Sequence, residues 1–170
     1  MTSVDIALLL VRVALGATMI VHGWNHGWGP GGIDGTTRWF AGIGLRPARV
    51  HAWASTLVEI AAGAGLLLGV LTPLAAAGVI GVMAVAGVVA HRSNGFFVFR
   101  DGYEYVLFIA VSALAVAIVG PGRLSVDAAL DLRFTGLVGG LVAAVGLLGA
   151  VVLLAASWRP ASVVATAEDG

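Results

Sequence analysis

The chain contains no cysteine and no lysine among its 170 residues. Without cysteine there is no disulfide, no thiolate metal site and no thiol redox chemistry, so any redox role must use a bound cofactor or a partner. Charge is also scarce. Only 11% of residues are charged, nine arginines balance nine acids, and the net charge is zero. No basic face of the kind that grips nucleic acid is present, and a nucleic-acid partner is excluded. The start, Met1-Thr2-Ser3-Val4-Asp5, lacks the basic n-region of a signal peptide, so the first apolar run is expected to be a retained span.

What is abundant is hydrocarbon: 59% of the residues are hydrophobic and the mean hydropathy is +1.02. A membrane span needs roughly 20 apolar residues. Five segments qualify: Val4–His22, His51–Leu71, Leu74–His91, Tyr103–Val119 and Thr135–Ser157. Pro73 suits the first turn of the third, and Gly120-Pro121-Gly122 stops the fourth. The expected fold is all-α, a polytopic helical bundle. Residues 1–134 form a four-helix core, 135–158 a fifth transmembrane helix, and 159–170 a disordered tail. The long first loop, Gly23–Val50, is turn-rich at its start, and Thr36–Ile43 is expected to be a short interfacial helix capped by Asp34.

Five spans put the two ends on opposite sides. The N-terminal side, A, carries Arg123 and Arg133. The other, B, carries Arg38, Arg46, Arg49, Arg92, Arg100 and Arg159. The positive-inside rule then makes B cytoplasmic, with the N-terminus outside and the C-terminus inside a cell (plasma) membrane. All four histidines, His22, His26, His51 and His91, fall on side B, with Glu104, Trp24, Tyr103 and most other aromatic residues.

Two ionisable residues lie within apolar runs, Arg12 in the first and Glu59 in the second. A charge there costs several kcal/mol unless it finds a partner or a water-filled cavity, which makes both functional-site candidates. Glu59 is about 12 Å beyond His51 and Arg12 about 15 Å before His22 at 1.5 Å per residue, so the two are expected to pair near mid-bilayer. His51, Ser55, Glu59 and Gly63 recur every four residues as one polar or small stripe. The GxxxG pairs Gly65/Gly69 and Gly136/Gly140 suit helix packing or a homo-oligomer. The histidines lack metal-ligand spacing on one helix, apart from His22 and His26, which flank a Gly-rich helix end; no metal and no covalent cofactor is assigned.

An ordered set of fragments resembles the DoxX family of small integral membrane proteins. It comprises Leu10-Val11-Arg12-Val13, His22-Gly23-Trp24, Val58-Glu59-Ile60, Gly69-Val70-Leu71-Thr72-Pro73, Asn94-Gly95-Phe96-Phe97, Gly102-Tyr103-Glu104-Tyr105 and Gly120-Pro121-Gly122-Arg123. The resemblance spans roughly residues 4–130. It implies a four-helix membrane bundle associated with quinone-linked electron transfer and with membrane oxidoreductase complexes that handle oxidative stress. The family often has a basic residue soon after the His-Gly, where this chain has Asn25 and His26, and the fifth span is extra to the usual short form.

On this resemblance a quinone headgroup is expected near side B. Arg12 and Glu59 order the cavity, His22, His51 and His91 line its mouth with Trp24 and Tyr103 as an aromatic platform, and Glu104 relays protons. By itself the chain is not expected to complete a redox reaction; soluble oxidoreductase partner subunits must supply electrons. The alternative is a non-catalytic scaffold that recruits such partners to the lipid bilayer, with the first loop and Arg92–Gly102 as docking surface. A transporter is disfavoured by the absence of a repeat or a broken helix.

Overall fold

The computed structural model describes residues 1–132 and 134–160; Arg133 and 161–170, most of the expected tail, lie outside the described residues. The described residues form helices α1 (Ser3–Trp28), α2 (Gly32–Gly42), α3 (Ala48–Leu68), α4 (Thr72–Ala86), α5 (Glu104–Val119), α6 (Val126–Ala129) and α7 (Gly136–Ser157). A π-helical turn, Gly87–His91, and a 3-10 turn, Arg92–Asn94, extend α4. The fold is the all-α membrane bundle that the hydropathy implies. Four helices, α1, α3, extended α4 and α7, are long and apolar enough to cross a membrane, and α5 is a shorter apolar helix of 16 residues.

The first helix starts with a capping box. Thr2 Oγ1 accepts the Asp5 N–H while the Asp5 carboxylate accepts the Thr2 N–H, satisfying two donors that a helix start leaves open. Asp5 also accepts the Arg123 N–H at 3.0 Å, which ties the start of α1 to the segment after α5. At the far end Trp158 Nε1 donates to the Ile43 carbonyl and the Arg46 N–H to the Ser157 carbonyl. The start of α1 and the end of α7 therefore lie at opposite ends of the bundle, matching sides A and B.

Two expectations about the first loop are corrected. α1 continues six residues past His22 to Trp28, so Gly23 and Gly27 lie on the helix. α2 is capped by Gly31, not by Asp34, whose carboxylate instead pairs with Arg49 at 2.8 Å on the surface.

Small residues set the packing. With no hydrophobic drive between helices in lipid, close approach through glycine takes its place. A Cβ at Gly16 would lie 2.6 Å from the Gly63 carbonyl oxygen, and one at Gly63 2.7 Å from that of Gly16. α7 joins the bundle through Gly139, Ala143, Gly146 and Ala150, and a Cβ on Gly81 of α4 would lie 3.1 Å from the Gly146 carbonyl oxygen. The GxxxG pairs split: Gly65 packs on Ala75 and Gly140 on Ile118 of neighbouring helices as expected, whereas Gly69, at φ +64°, is the left-handed cap that ends α3 and Gly136 meets nothing within 4 Å. Gly16→Val should push α1 off α3 and cost about 1–3 kcal/mol, whereas Gly42→Ala, where a Cβ meets nothing within 4 Å, should stay within about 0.5 kcal/mol. Unfolding in detergent micelles, followed by tryptophan fluorescence, compares the two; equal melting would deny the close contact its role.

Candidate functional site

Glu59 sits in the middle of α3, 2% exposed. Ser55, one turn earlier, donates its hydroxyl to Glu59 Oε1. His26 Nε2 lies 3.6 Å from the same oxygen. The other carboxyl oxygen, Oε2, is buried and has no hydrogen-bond partner. An unmet buried acceptor or donor costs roughly 1–3 kcal/mol, so this oxygen is a standing demand for a polar group.

Glycine brings His26 to the carboxyl. Gly23 and Gly27 let α1 lie on Thr56, where a Cβ at Gly23 would be 2.8 Å from the Thr56 carbonyl oxygen. α2 then folds over the pair. Thr36 Oγ1 donates to the His26 carbonyl at 2.8 Å, the Trp39 ring stacks on the His26 ring with centroids 6.0 Å apart, and Phe40 meets it edge-on.

A cavity of about 660 Å³ opens beside this group, bordered by all four histidines as well as Glu59 and Ser55. Trp39 and Phe40 of α2 border it, as do Met19, Met83 and Ile109 from the core. The π turn inserts an extra residue into the last turns of α4, a device common at functional sites; Val89, Ala90 and His91 all border the cavity. His91 Nδ1 lies 2.7 Å from the Asp101 carbonyl oxygen and His51 Nε2 3.2 Å from that of Arg46. A carbonyl only accepts, so each of those nitrogens carries a proton and the opposite nitrogen remains for other chemistry. His22 is exposed, its ring 6.2 Å from that of Tyr105.

Arg12 does not belong to this group. Gly16 abuts Gly63 and Gly23 abuts Thr56, so Glu59 is level with Ile20, eight residues or about 12 Å along the axis from Arg12. The expected Arg12–Glu59 pair is not formed. Arg12, 0% exposed, lies at the side-A end. Its Nη2 donates to the Leu124 carbonyl, and its guanidinium lies where a Cβ of Gly69 would be. Asp127 attracts it electrostatically and accepts from the Leu71 N–H, the Thr72 N–H and the Thr72 hydroxyl at 2.7–2.9 Å. This is a structural lock between α1, the α3–α4 turn and α6.

Three further assignments change. Glu104 does not border the cavity; its Oε2 accepts the Val98 N–H at 3.0 Å and closes the 96–104 loop. Trp24 is exposed and stacks on Trp28, and Tyr103 meets Phe96 edge-on; neither borders the cavity. The structure thus gathers Glu59, His22, His51 and His91, and adds His26, Trp39 and Phe40, which were not assigned to the site. Helical spacing of His22 and His26, four apart on one face, is the signal that identifies His26 once α1 is long enough. Among the described residues no cluster of three or more His, Asp or Glu side chains is placed to hold a metal ion. No curated protein and no solved structure matches the chain. A family model described as DoxX matches residues 7–92, from the start of α1 to just beyond the π turn.

Proposed function

The chain belongs to the DoxX family, and from that premise we propose that this membrane protein is a subunit of a quinone-linked oxidoreductase complex whose cavity at Glu59 and His26 receives the quinone headgroup. The observation that carries the reading is that Glu59, whose Oε2 is buried and unpartnered, borders a cavity walled by four histidines, Ser55 and otherwise mostly hydrocarbon. A flat ring bearing two carbonyl oxygens fits such a space. Protonated Glu59 offers an O–H and His26 an N–H to those carbonyls. Trp39 and Phe40 supply flat apolar surface. When bound, the quinone would supply the capacity to accept two electrons and two protons.

The chain's own residues then bind, orient and deliver protons. His26 Nε2 and Glu59 Oε1, 3.6 Å apart, can exchange a proton after a small movement. Ser55 holds Oε1 in place. His51 lies one helical turn nearer the surface than Ser55, so the stripe leads from the side-B interface to the carboxyl. A histidine ordinarily titrates near neutrality, which suits proton delivery. α2 lies over the headgroup position and keeps bulk water out. Electrons come from a soluble partner, since the chain has no thiol. The arginines of side B make that face cytoplasmic in a plasma-membrane setting, where such a partner docks.

The test is a titration of purified protein in lipid nanodiscs with 2-methyl-1,4-naphthoquinone, read as quenching of tryptophan fluorescence and assigned with Trp39→Phe. Saturable quenching is expected. Glu59→Met removes the O–H donor and should weaken binding about 2- to 10-fold, the net worth of a neutral hydrogen bond, while Glu59→Gln, which still offers an N–H to the carbonyl, should bind nearly as well as the wild type. Absence of saturable quenching in the wild type would leave the chain a scaffold.

A further inference from the structure

We infer that α2 is a lid on the cavity and that the end of α7 is its clasp: Trp158 and the backbone beside it hold α2 over His26 and Glu59, and their release lets water in from side B. The inference needs no quinone, so it stands or falls apart from the reading above.

One end of the lid turns on glycine. Between α1 and α2 the chain runs Gly29-Pro30-Gly31-Gly32, with Gly31 at φ +85° and Gly32 at φ +52°. Glycine enters and leaves that region without the steric penalty other residues meet, so the turn can act as a hinge. The polar ties of α2 to the helices beneath are few. Thr36 donates to the His26 carbonyl. The Asp34–Arg49 pair lies on the surface, where an ion pair is worth little. Below, Phe40 and Leu45 close on Ala52, and Phe40, Ile43 and Leu45 border the cavity.

The other end is fastened by α7. Trp158 Nε1 donates to the Ile43 carbonyl at 2.9 Å. Beside that bond the Arg46 N–H donates to the Ser157 carbonyl at 2.8 Å, and the Arg159 N–H to the Gly44 carbonyl at 2.7 Å. Leu45 and Trp158 thereby form an antiparallel β-bridge. Gly44 permits the approach: it sits at φ +90°, and a Cβ there would lie 2.5 Å from the Arg159 carbonyl oxygen. The Trp158 ring packs on the Phe40–Leu45–Ala52 group together with Val89 of the π turn, and the Arg92 guanidinium lies 5.1 Å from its centroid. One side chain therefore joins α2, α7 and the extension of α4, and Ile43, Leu153 and Val89 from those three elements all border the cavity. Trp158 is a positioning residue: it touches neither Glu59 nor His26 and acts on them through α2. α7 lies beyond the residues 7–92 that match the family, so the clasp comes from outside the matched region. Its hydrogen bonds lie at the side-B end, where water can replace them and each is worth little net. The α1–α3 contact inside the bundle is instead held by interlocking glycines. Local opening draws on the least firmly held segment, which here is the cover of the site.

The chain has no cysteine, so single introduced cysteines report where water enters. Ala52→Cys lies under the lid, Met19→Cys borders the cavity, and Val79→Cys is buried away from it. Each is reacted in lipid nanodiscs with a charged methanethiosulfonate, which travels through water and not through hydrocarbon. Trp158→Phe keeps an aromatic ring and loses the N–H. It should speed modification of Ala52→Cys and Met19→Cys about 2- to 10-fold, the net worth of one neutral hydrogen bond, and leave Val79→Cys unchanged. Gly44→Ala, which presses on the opposite side of the bridge, should give the same pattern and carries the test if Trp158→Phe does not fold. Equal acceleration at all three cysteines would make the clasp a contributor to general stability and overturn the lid. No acceleration at any of them, or acceleration at Ala52→Cys without Met19→Cys, would overturn it as well.

Discussion

Asp127→Ala should destabilise the folded protein by about 3–5 kcal/mol, the range for breaking a buried charge interaction by removing one partner. The carboxylate accepts from the Leu71 N–H, the Thr72 N–H and the Thr72 hydroxyl. Alanine leaves all three donors unmet at the start of α4, where helix N–H groups have no intrahelical acceptor. It also removes the negative charge that faces Arg12, which is completely buried and has Nε and Nη1 without partners. Unfolding by sodium dodecyl sulfate in mixed micelles measures the loss; an unshifted transition would mean that the lock contributes nothing. A double-mutant cycle separates this contact from the one that the hydropathy suggests. Arg12→Met with Asp127→Asn should show a coupling of about 0.5–3 kcal/mol, whereas Arg12→Met with Glu59→Gln should be additive within about 0.5 kcal/mol.

Four of the five expected spans were legible because hydropathy and length decide them, while α5, at 16 residues, is shorter than a full span; the turn at Thr72-Pro73 was legible because proline suits a first helical turn. The end of α1 was not. Gly23, Asn25 and Gly27 carry the composition of a turn, but two of them are where α1 rests on α3. In lipid a glycine marks close approach as readily as it marks a break, and a single chain does not say which. That one ambiguity displaced the site. Counted from His22, Arg12 lies about 15 Å from side B, level with Glu59; counted from Trp28 it lies about 24 Å away. The same shift turns His26 from a loop residue into the neighbour of Glu59. Trp24 and Glu104 failed for another reason. Both lie near the correct end of the bundle, but which side of its helix each side chain takes depends on contacts, with Trp28 and the Val98 N–H, that hydropathy does not encode.

Glu59→Met should have the opposite signature to the Asp127 change: unchanged or higher stability, by about 0–3 kcal/mol, together with weaker quinone binding. Methionine has a similar length and no polar atom. It removes an oxygen that is buried and unpartnered, and replacing an uncompensated buried polar group by a well-packed apolar one is neutral or stabilising. Ser55 retains an alternative, since a serine hydroxyl in a helix can turn to the carbonyl one turn earlier. His26 keeps its stacking on Trp39. Ser55 and His26 are the polar side chains that meet the carboxyl at position 59. Two measurements on one variant decide the matter: the unfolding transition in mixed micelles and the titration with 2-methyl-1,4-naphthoquinone. A more stable protein that binds more weakly would make Glu59 a functional residue retained at a cost in stability. A strongly destabilised protein would make Glu59, with His26 and Ser55, a structural contact like the one at Arg12, and the quinone reading would lose the observation that carries it.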